Sequence, residues 1–296
     1  MASLKDIRSR IGSVRNIAQI TRAMEMVAAS RMKRAQDSIL AARPYADELE
    51  ATLGRVAAAQ GLTEEINPLL ARRPVRRVAM IVITTDRGLV GSLNANATRA
   101  VLRWATERAS RNGDNRAIEI EAITVGRKGR DVLRRASVPI AAHFAQLGDR
   151  PSFADVTPIA RLVTQDFLEQ KYDEIDIAYS AFVSTLAQKP QISTLLPVDR
   201  PEMGEEHQRT NDEYLFEPSP EAVLSRLLPH YVAIGIYRAV LENNASEQSA
   251  QMIAMRSATD NAHELIGDLT LVYNKTRQAT ITREMIEIAS GAEALG

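Results

Sequence analysis

Cysteine is absent from all 296 residues, which excludes disulfide staples, thiolate metal sites and cysteine nucleophiles. Aromatic residues make up only 4% and glycine only 14 positions, a poverty that disfavours turn-rich sandwiches and barrels and favours long helices. Net charge is missing as well. The 37 Lys and Arg balance 37 Asp and Glu, so no global basic field calls for nucleic acid. The longest aliphatic run, Val78 to Ile83, is far short of the roughly 20 residues that cross a bilayer. The opening Met1-Ala2-Ser3-Leu4-Lys5-Asp6 has no apolar block of the signal-peptide kind. What remains is a 45% hydrophobic chain long enough for two or more structural units, expected to be soluble and not inserted in a membrane.

Both ends read as long helices. From Leu4, the residues Ile7, Ile11, Val14, Ile17, Ile20, Met24 and Val27 recur at gaps of three or four, one helical stripe. Ser3 is placed to cap this helix with Asp6 three residues on, no proline intervenes before Pro44, and Gly61 marks a stop. A helix over 1–61 would reach ~90 Å at 1.5 Å per residue. At the other end Ser219-Pro220-Glu221 reads as a cap, and Leu224, Leu228, Tyr231, Ile234, Met252, Met255, Leu265, Leu269 and Val272 continue at helical intervals over 220–296. Pro229 is expected to kink the first turns or to end a short leading helix there.

Between the ends the period changes. Val75 to Ile83, Ile118 to Val125, Val138 to Phe144, Ile175 to Val183 and Ile192 to Leu196 are short and rich in β-branched residues, hence strands. Helical patterns over Leu93 to Ser110, Lys128 to Ala136 and Ala154 to Gln170 separate the first four, and the last strand follows Gln188-Lys189-Pro190. The expected fold class is α/β: a central Rossmann-like domain over 75–198 with a mostly parallel sheet, an exposed polar connection over 199–219, and a long antiparallel two-helix coiled coil from the terminal segments. Charge supports the pairing. Residues 1–60 hold ten basic and six acidic side chains, a net +4, whereas 201–296 hold seven basic and fifteen acidic, a net −8. Apolar residues continue through Ile281, Met285, Ile286, Ile288, Ala292, Ala294 and Leu295, an apolar tip that invites a partner.

Signatures of bond chemistry are missing. The glycine-containing turn Thr85-Asp86-Arg87-Gly88-Leu89-Val90-Gly91-Ser92-Leu93-Asn94 follows the first strand, where nucleotides often bind, yet neither G-x-G-x-x-G nor G-x-x-x-x-G-K-[ST] occurs. The histidines His143, His207, His230 and His263 are scattered, without metal-ligand spacing. No catalytic residue, cofactor or metal is expected. A nucleotide-binding α/β enzyme and a non-rotary coiled-coil adaptor stand as alternative readings.

Several segments go further than composition. Ile20-Thr21-Arg22-Ala23-Met24-Glu25-Met26-Val27-Ala28-Ala29-Ser30-Arg31-Met32, the turn Thr85 to Leu89 with Gly91 and Asn94, and Arg277-Gln278-Ala279-Thr280-Ile281-Thr282 with Glu284 and Ile288-Ala289-Ser290-Gly291-Ala292 closely resemble the gamma subunit of the F-type ATP synthase. Tyr214-Leu215-Phe216-Glu217-Pro218 and Glu242-Asn243-Asn244-Ala245-Ser246-Glu247-Gln248 resemble that family too, and all fall in its order along the chain. The resemblance implies a central-stalk rotor: terminal helices in a left-handed coiled coil inside the ring of three alpha and three beta subunits, and an α/β domain outside, near the membrane. It would turn with the c-subunit ring and transmit torque that couples proton flow to ATP synthesis in beta. It further implies that Arg22, Met24, Arg277, Gln278, Thr282, Met285, Ile286, Ile288 and Leu295 face the alpha/beta ring, and that Tyr214, Phe216 and Glu217 touch the c ring. The implied partners are alpha, beta, epsilon and the c ring, with one copy of this chain per complex. Val90 stands where many relatives carry cysteine, and the disulfide-bearing insertion of chloroplast members is absent, so thiol regulation is not expected. The lack of a transit segment implies a peripheral protein on the cytoplasmic face of a bacterial membrane.

Overall fold

A computed structural model describes residues 3–60, 67–110, 118–199, 217 and 219–293. The expected stop at Gly61, nearly all of the connection over 199–219, and Ala294 and Leu295 at the tip lie outside them. The elements are α1 (Leu4–Gln60), a 3-10 turn (Pro68–Leu70), β1 (Arg77–Ile83), α2 (Leu93–Ser110), β2 (Glu119–Val125), α3 (Arg127–Arg135), β3 (Ile140–Phe144), α4 (Phe153–Leu168), β4 (Glu174–Ser184), β5 (Ala187–Leu196) and α5 (Pro220–Glu293). The fold is α/β, with N- and C-terminal helices and a central, mostly parallel sheet. It divides into two compact units, Met1–Ala29 with Gln251–Gly296, and Ser30–Ala250.

The larger unit is built around the sheet, in the order β3-β2-β1-β4-β5. Strands β1, β2, β3 and β4 run parallel, and β5 returns antiparallel to β4 as an edge. Alternation along β1 sends Ala79, Ile81 and Ile83 to one face and Met80 and Val82 to the other. Both faces are covered, so six of the seven β1 residues are buried. Val101 of α2 and Leu133 of α3 close the side of Met80. On the other side α4 supplies Val156, Ile159, Val163 and Phe167, α5 supplies Leu224, Leu228, Val232 and Ile236, and α1 supplies Leu53 and Val56.

Two points need correction. Of the two outcomes expected at Pro229, the end of a short leading helix does not occur, since α5 runs through it from Pro220 to Glu293. An interior proline costs about 3 kcal/mol. Leu224, Leu228, Val232 and Ile236, each essentially inaccessible, surround it on the core-facing side, and burial at roughly 1.5–3 kcal/mol apiece outweighs that cost. Gly235, in the same stretch, has a packing reason: a Cβ there would meet Leu195 Cδ1 at 3.1 Å. The second correction is β5, which starts at Ala187 rather than Ile192 and includes Pro190 opposite Ser180. A sheet edge tolerates proline because one side of its backbone needs no ladder partner.

The smaller unit consists of the helical residues 4–29 and 251–293. Ser3 caps α1 as expected: Ser3 Oγ accepts from the Asp6 N–H at 3.2 Å and the Ser3 N–H donates to Asp6 Oδ2 at 3.1 Å.

Candidate functional site

Within the smaller unit the buried residues are mostly small. Ile7, Ala18, Thr21 and Ala28 of α1 and Met255, Thr259 and Ala262 of α5 are buried, and Thr21 Oγ1 lies 2.7 Å from Thr259 Oγ1. Short side chains let helix backbones approach, and a buried polar pair is satisfied only in one register. Apart from Ile7 and Met255, the large apolar side chains are mostly not buried. Ile17, Ile20, Met26 and Val27 of α1 and Leu265, Leu271, Val272, Ile281, Met285, Ile286 and Ile288 of α5 are exposed, Ile288 by 72%. From His263 to Ser290 no residue of α5 is buried. An apolar patch of this kind marks a surface meant to be covered.

The expected ring-facing residues fall on this unit. Arg277, Gln278, Thr282, Met285, Ile286 and Ile288 are exposed on α5, and Thr282 Oγ1 donates back to the Gln278 carbonyl at 2.9 Å. Arg22 is exposed and Met24 half-buried on α1. Glu25, which residue patterns did not single out, keeps one carboxylate oxygen buried without a hydrogen bond, and Arg22 Nη1 is 3.6 Å away. Of the expected c-ring residues Glu217 is exposed, whereas Tyr214 and Phe216, like Leu295 at the tip, lie outside the described residues.

The turn after β1 sits at the carboxyl ends of the strands, where open α/β sheets hold ligands. Here the chain fills its own anion position. Asp86 accepts from the N–H of Arg127 at 3.0 Å, at the start of α3, and from the N–H of Gln146 at 2.8 Å. Asn94 accepts from the Thr85 N–H and donates to Thr85 Oγ1. The adjoining crevice, about 340 Å³, is lined by Asp86, Asp149 and Glu247. Burial first, then Asp149 and Asp86, pushes the Glu247 carboxyl up to about 7. Arg31 and Arg87 both engage Asp149, at 2.9 and 3.6 Å. The backbone N–H groups of Arg127 and Gln146 and the guanidinium groups of Arg31 and Arg87 are thus already engaged by carboxylates, which counts against the nucleotide-enzyme reading.

Fold and surface together define a class of subunit: an α/β unit, and a second unit of two long helices whose exposed apolar faces require partners. Among the described residues no helix is long and apolar enough to cross a membrane. A family model described as ATP synthase matches residues 3–295. The ATP synthase gamma chain of Dehalococcoides mccartyi is 48% identical over 295 residues, covering 100% of both chains. That of Roseiflexus castenholzii is 50% identical over 297 residues, covering 100% of this chain and 99% of the relative. Among solved structures, the mitochondrial ATP synthase of Euglena gracilis in rotational state 3 shares the fold at a TM-score of 0.65, with 19% identity and coverage of 99% of this chain and 94% of that one. The central stalk and c ring of the Tetrahymena thermophila enzyme gives 0.59, with 24% identity and coverage of 81% and 99%. The chain belongs to the family of ATP synthase gamma chains.

Proposed function

We propose that this chain is the central-stalk rotor of an F-type ATP synthase, a subunit of an enzyme complex that does no bond chemistry itself. Three alpha and three beta subunits would surround the paired helices, with the c ring and epsilon as its further partners and the whole peripheral to the cytoplasmic face of a bacterial membrane. Arg22, Met24, Arg277, Gln278, Thr282, Met285, Ile286, Ile288 and Leu295 would face the ring, and Tyr214, Phe216 and Glu217 the c subunits. The observation that carries this reading is the bare apolar surface of the smaller unit, on a chain alike along its whole length to gamma chains. Non-directional apolar contacts resist turning less than fixed ion pairs do. An asymmetric shaft that contacts each beta subunit differently shifts its conformational populations in sequence. Reconstitution tests it: adding the chain to alpha and beta subunits changes their rate of ATP hydrolysis, and an unchanged rate overturns the proposal.

A further inference from the structure

The zero net charge of the chain conceals one strongly basic face. α2 and α3 lie side by side on the side of the sheet away from α4, where Val101 and Leu133 close over Met80, Val82 and Ala178. These two helices carry eight basic side chains and two acidic, a net +6. α4, on the opposite side, carries one Arg and two Asp. Gly129 seats α3 closely on the sheet, since a Cβ there would meet Thr84 Oγ1 at 2.7 Å. The cations therefore stand outward on a firmly packed layer. Arg99 and Arg103, one turn apart on α2, are exposed, as are Lys128, Arg134 and Arg135 on α3. Among the described residues none of these five enters a salt bridge, because the carboxylates nearby are taken: Glu174 by Arg108, Asp86 by Arg127 and Asp131 by Arg130. Arg99 reaches the Asn96 side-chain carbonyl and Arg135 the Asp131 backbone carbonyl, both neutral. The Arg130 hydrogen bond first, then the charges of Arg130, Arg134 and Lys128, hold the Asp131 carboxyl below its usual value against its desolvation, as a positive field does.

What this face lacks decides what it fits. Among the described residues no large apolar side chain of α2 or α3 is exposed, so the aromatic and aliphatic anchors of a protein interface are missing. Trp104 is half-buried with the Arg108 guanidinium 5.7 Å from its ring centre, so no exposed aromatic is offered to a nucleic-acid base. Spread positive charge without an anchor suits a partner that is itself spread and mobile. A bilayer of anionic headgroups is such a partner, rewarding each Lys or Arg near its surface without requiring a fixed pocket. We infer that the outer face of α2 and α3 rests on anionic phospholipid headgroups, with Arg99, Arg103, Lys128, Arg134 and Arg135 as the contacts. The contact is peripheral and inserts nothing into the hydrocarbon. It rests on the rotor reading only in taking the chain to work beside a membrane.

The test sediments the full chain with vesicles of about 30% phosphatidylglycerol in phosphatidylcholine, and with pure phosphatidylcholine, which reports any adhesion of the apolar faces of the smaller unit. At about 0.1 M salt the anionic vesicles are expected to bind at least about ten-fold more tightly than the neutral ones, and most of that difference disappears at about 0.5 M. Each cation removed weakens anionic-vesicle binding by about five-fold, so Arg134→Gln with Arg135→Gln costs about ten-fold or more. Adding Arg99→Gln and Arg103→Gln brings binding down to the neutral-vesicle level. Arg161→Gln with Arg226→Gln, exposed charges of α4 and α5, binds like the parent. Circular dichroism melts confirm folding, and should the fourfold variant fail, the α3 pair still decides. Equal binding to both vesicles, insensitivity to salt, an α3 pair that binds like the parent, or tighter binding of poly-L-glutamate or a DNA duplex than of anionic vesicles overturns the inference. The rotor reading fails separately: it falls if the parent chain leaves alpha and beta hydrolysis unchanged, whatever the vesicles show.

Discussion

The two units use apolar side chains in opposite ways. Among the described residues seventeen large hydrophobics are exposed, and eleven of them lie in the smaller unit, about a quarter of the chain. The larger unit hides Phe167, Ile81, Ile123 and Leu228 almost completely, while the smaller one buries mainly alanines and threonines, with Ile7 and Met255, and shows most of its large apolar side chains. Burial on folding explains the first arrangement. The second makes sense only if burial happens later, against another molecule.

A matched pair of substitutions tries to break that contrast. Phe167→Ala, in the sheet-facing core, is expected to lower unfolding free energy by about 3–5 kcal/mol in chemical denaturation. Met285→Ala combined with Ile288→Ala is expected to change it by no more than about 0.5 kcal/mol, because both side chains already face solvent. The same double variant should weaken assembly with alpha and beta subunits. If it destabilises the isolated chain as Phe167→Ala does, the exposed faces are part of its own core after all.

Next in size is Gly126→Ala. Gly126 has φ +94, and a Cβ there would lie 2.2 Å from the Thr84 carbonyl oxygen. Strained backbone together with that overlap should cost about 2–3 kcal/mol, read as a lowered denaturation midpoint. An unchanged midpoint would show that the β1 and β2 ends are less tightly locked than the Asp86 and Thr84 contacts suggest.

Much of this was legible beforehand. Helix α2 and the strands β1, β2 and β4 follow local periodicity, and their expected bounds differ from the structure by no more than about two residues. Ser3 and Ser219 also cap where local chemistry placed them. What escaped was non-local. Pro190 reads as a breaker until β5 is known to be an edge, and Pro229 until its neighbours are known to be buried. Asp86 looks like an ordinary turn residue because its partners are backbone N–H groups 41 and 60 positions away. The residues proposed to face the ring came through family resemblance, since an exposed isoleucine carries no local mark of a surface that would cover it.

A pH experiment sharpens the burial side. Asp176 on β4 is 2% exposed, with one oxygen unpartnered, and its carboxyl is pushed up to about 7, by burial first and by Glu174 second. Thr194 of β5 hydrogen-bonds it, and Arg108 of α2, which pairs with Glu174, only partly offsets the rise. A raised carboxyl binds its proton more tightly folded than unfolded. Its contribution is therefore complete below about pH 4, the ordinary value, and is lost as pH rises through about 7. Asp176→Asn should gain about 1–2 kcal/mol at pH 8 and nothing at pH 4. An equal effect at both values would mean that the charge is already compensated.

The smallest effect probes what holds the smaller unit together when its large side chains do not. Each hydroxyl has one proton, so in the Thr21–Thr259 contact one threonine must donate to the other and give up its own backbone carbonyl. Thr21→Val or Thr259→Val alone leaves a buried hydroxyl with a backbone acceptor but no partner across the seam, at a cost of about 1 kcal/mol. Replacing both removes the requirement altogether, and valine keeps the shape. The double variant should therefore cost less than the sum of the singles, with a coupling of about 0.5–1 kcal/mol in a denaturation cycle. Zero coupling would mean that this pair fixes no register and that the helices are aligned by small apolar residues alone. Coupling of the expected sign, alongside indifference to Met285→Ala and Ile288→Ala, would show that the unit spends its polar contacts on its own alignment and reserves its apolar ones for partners.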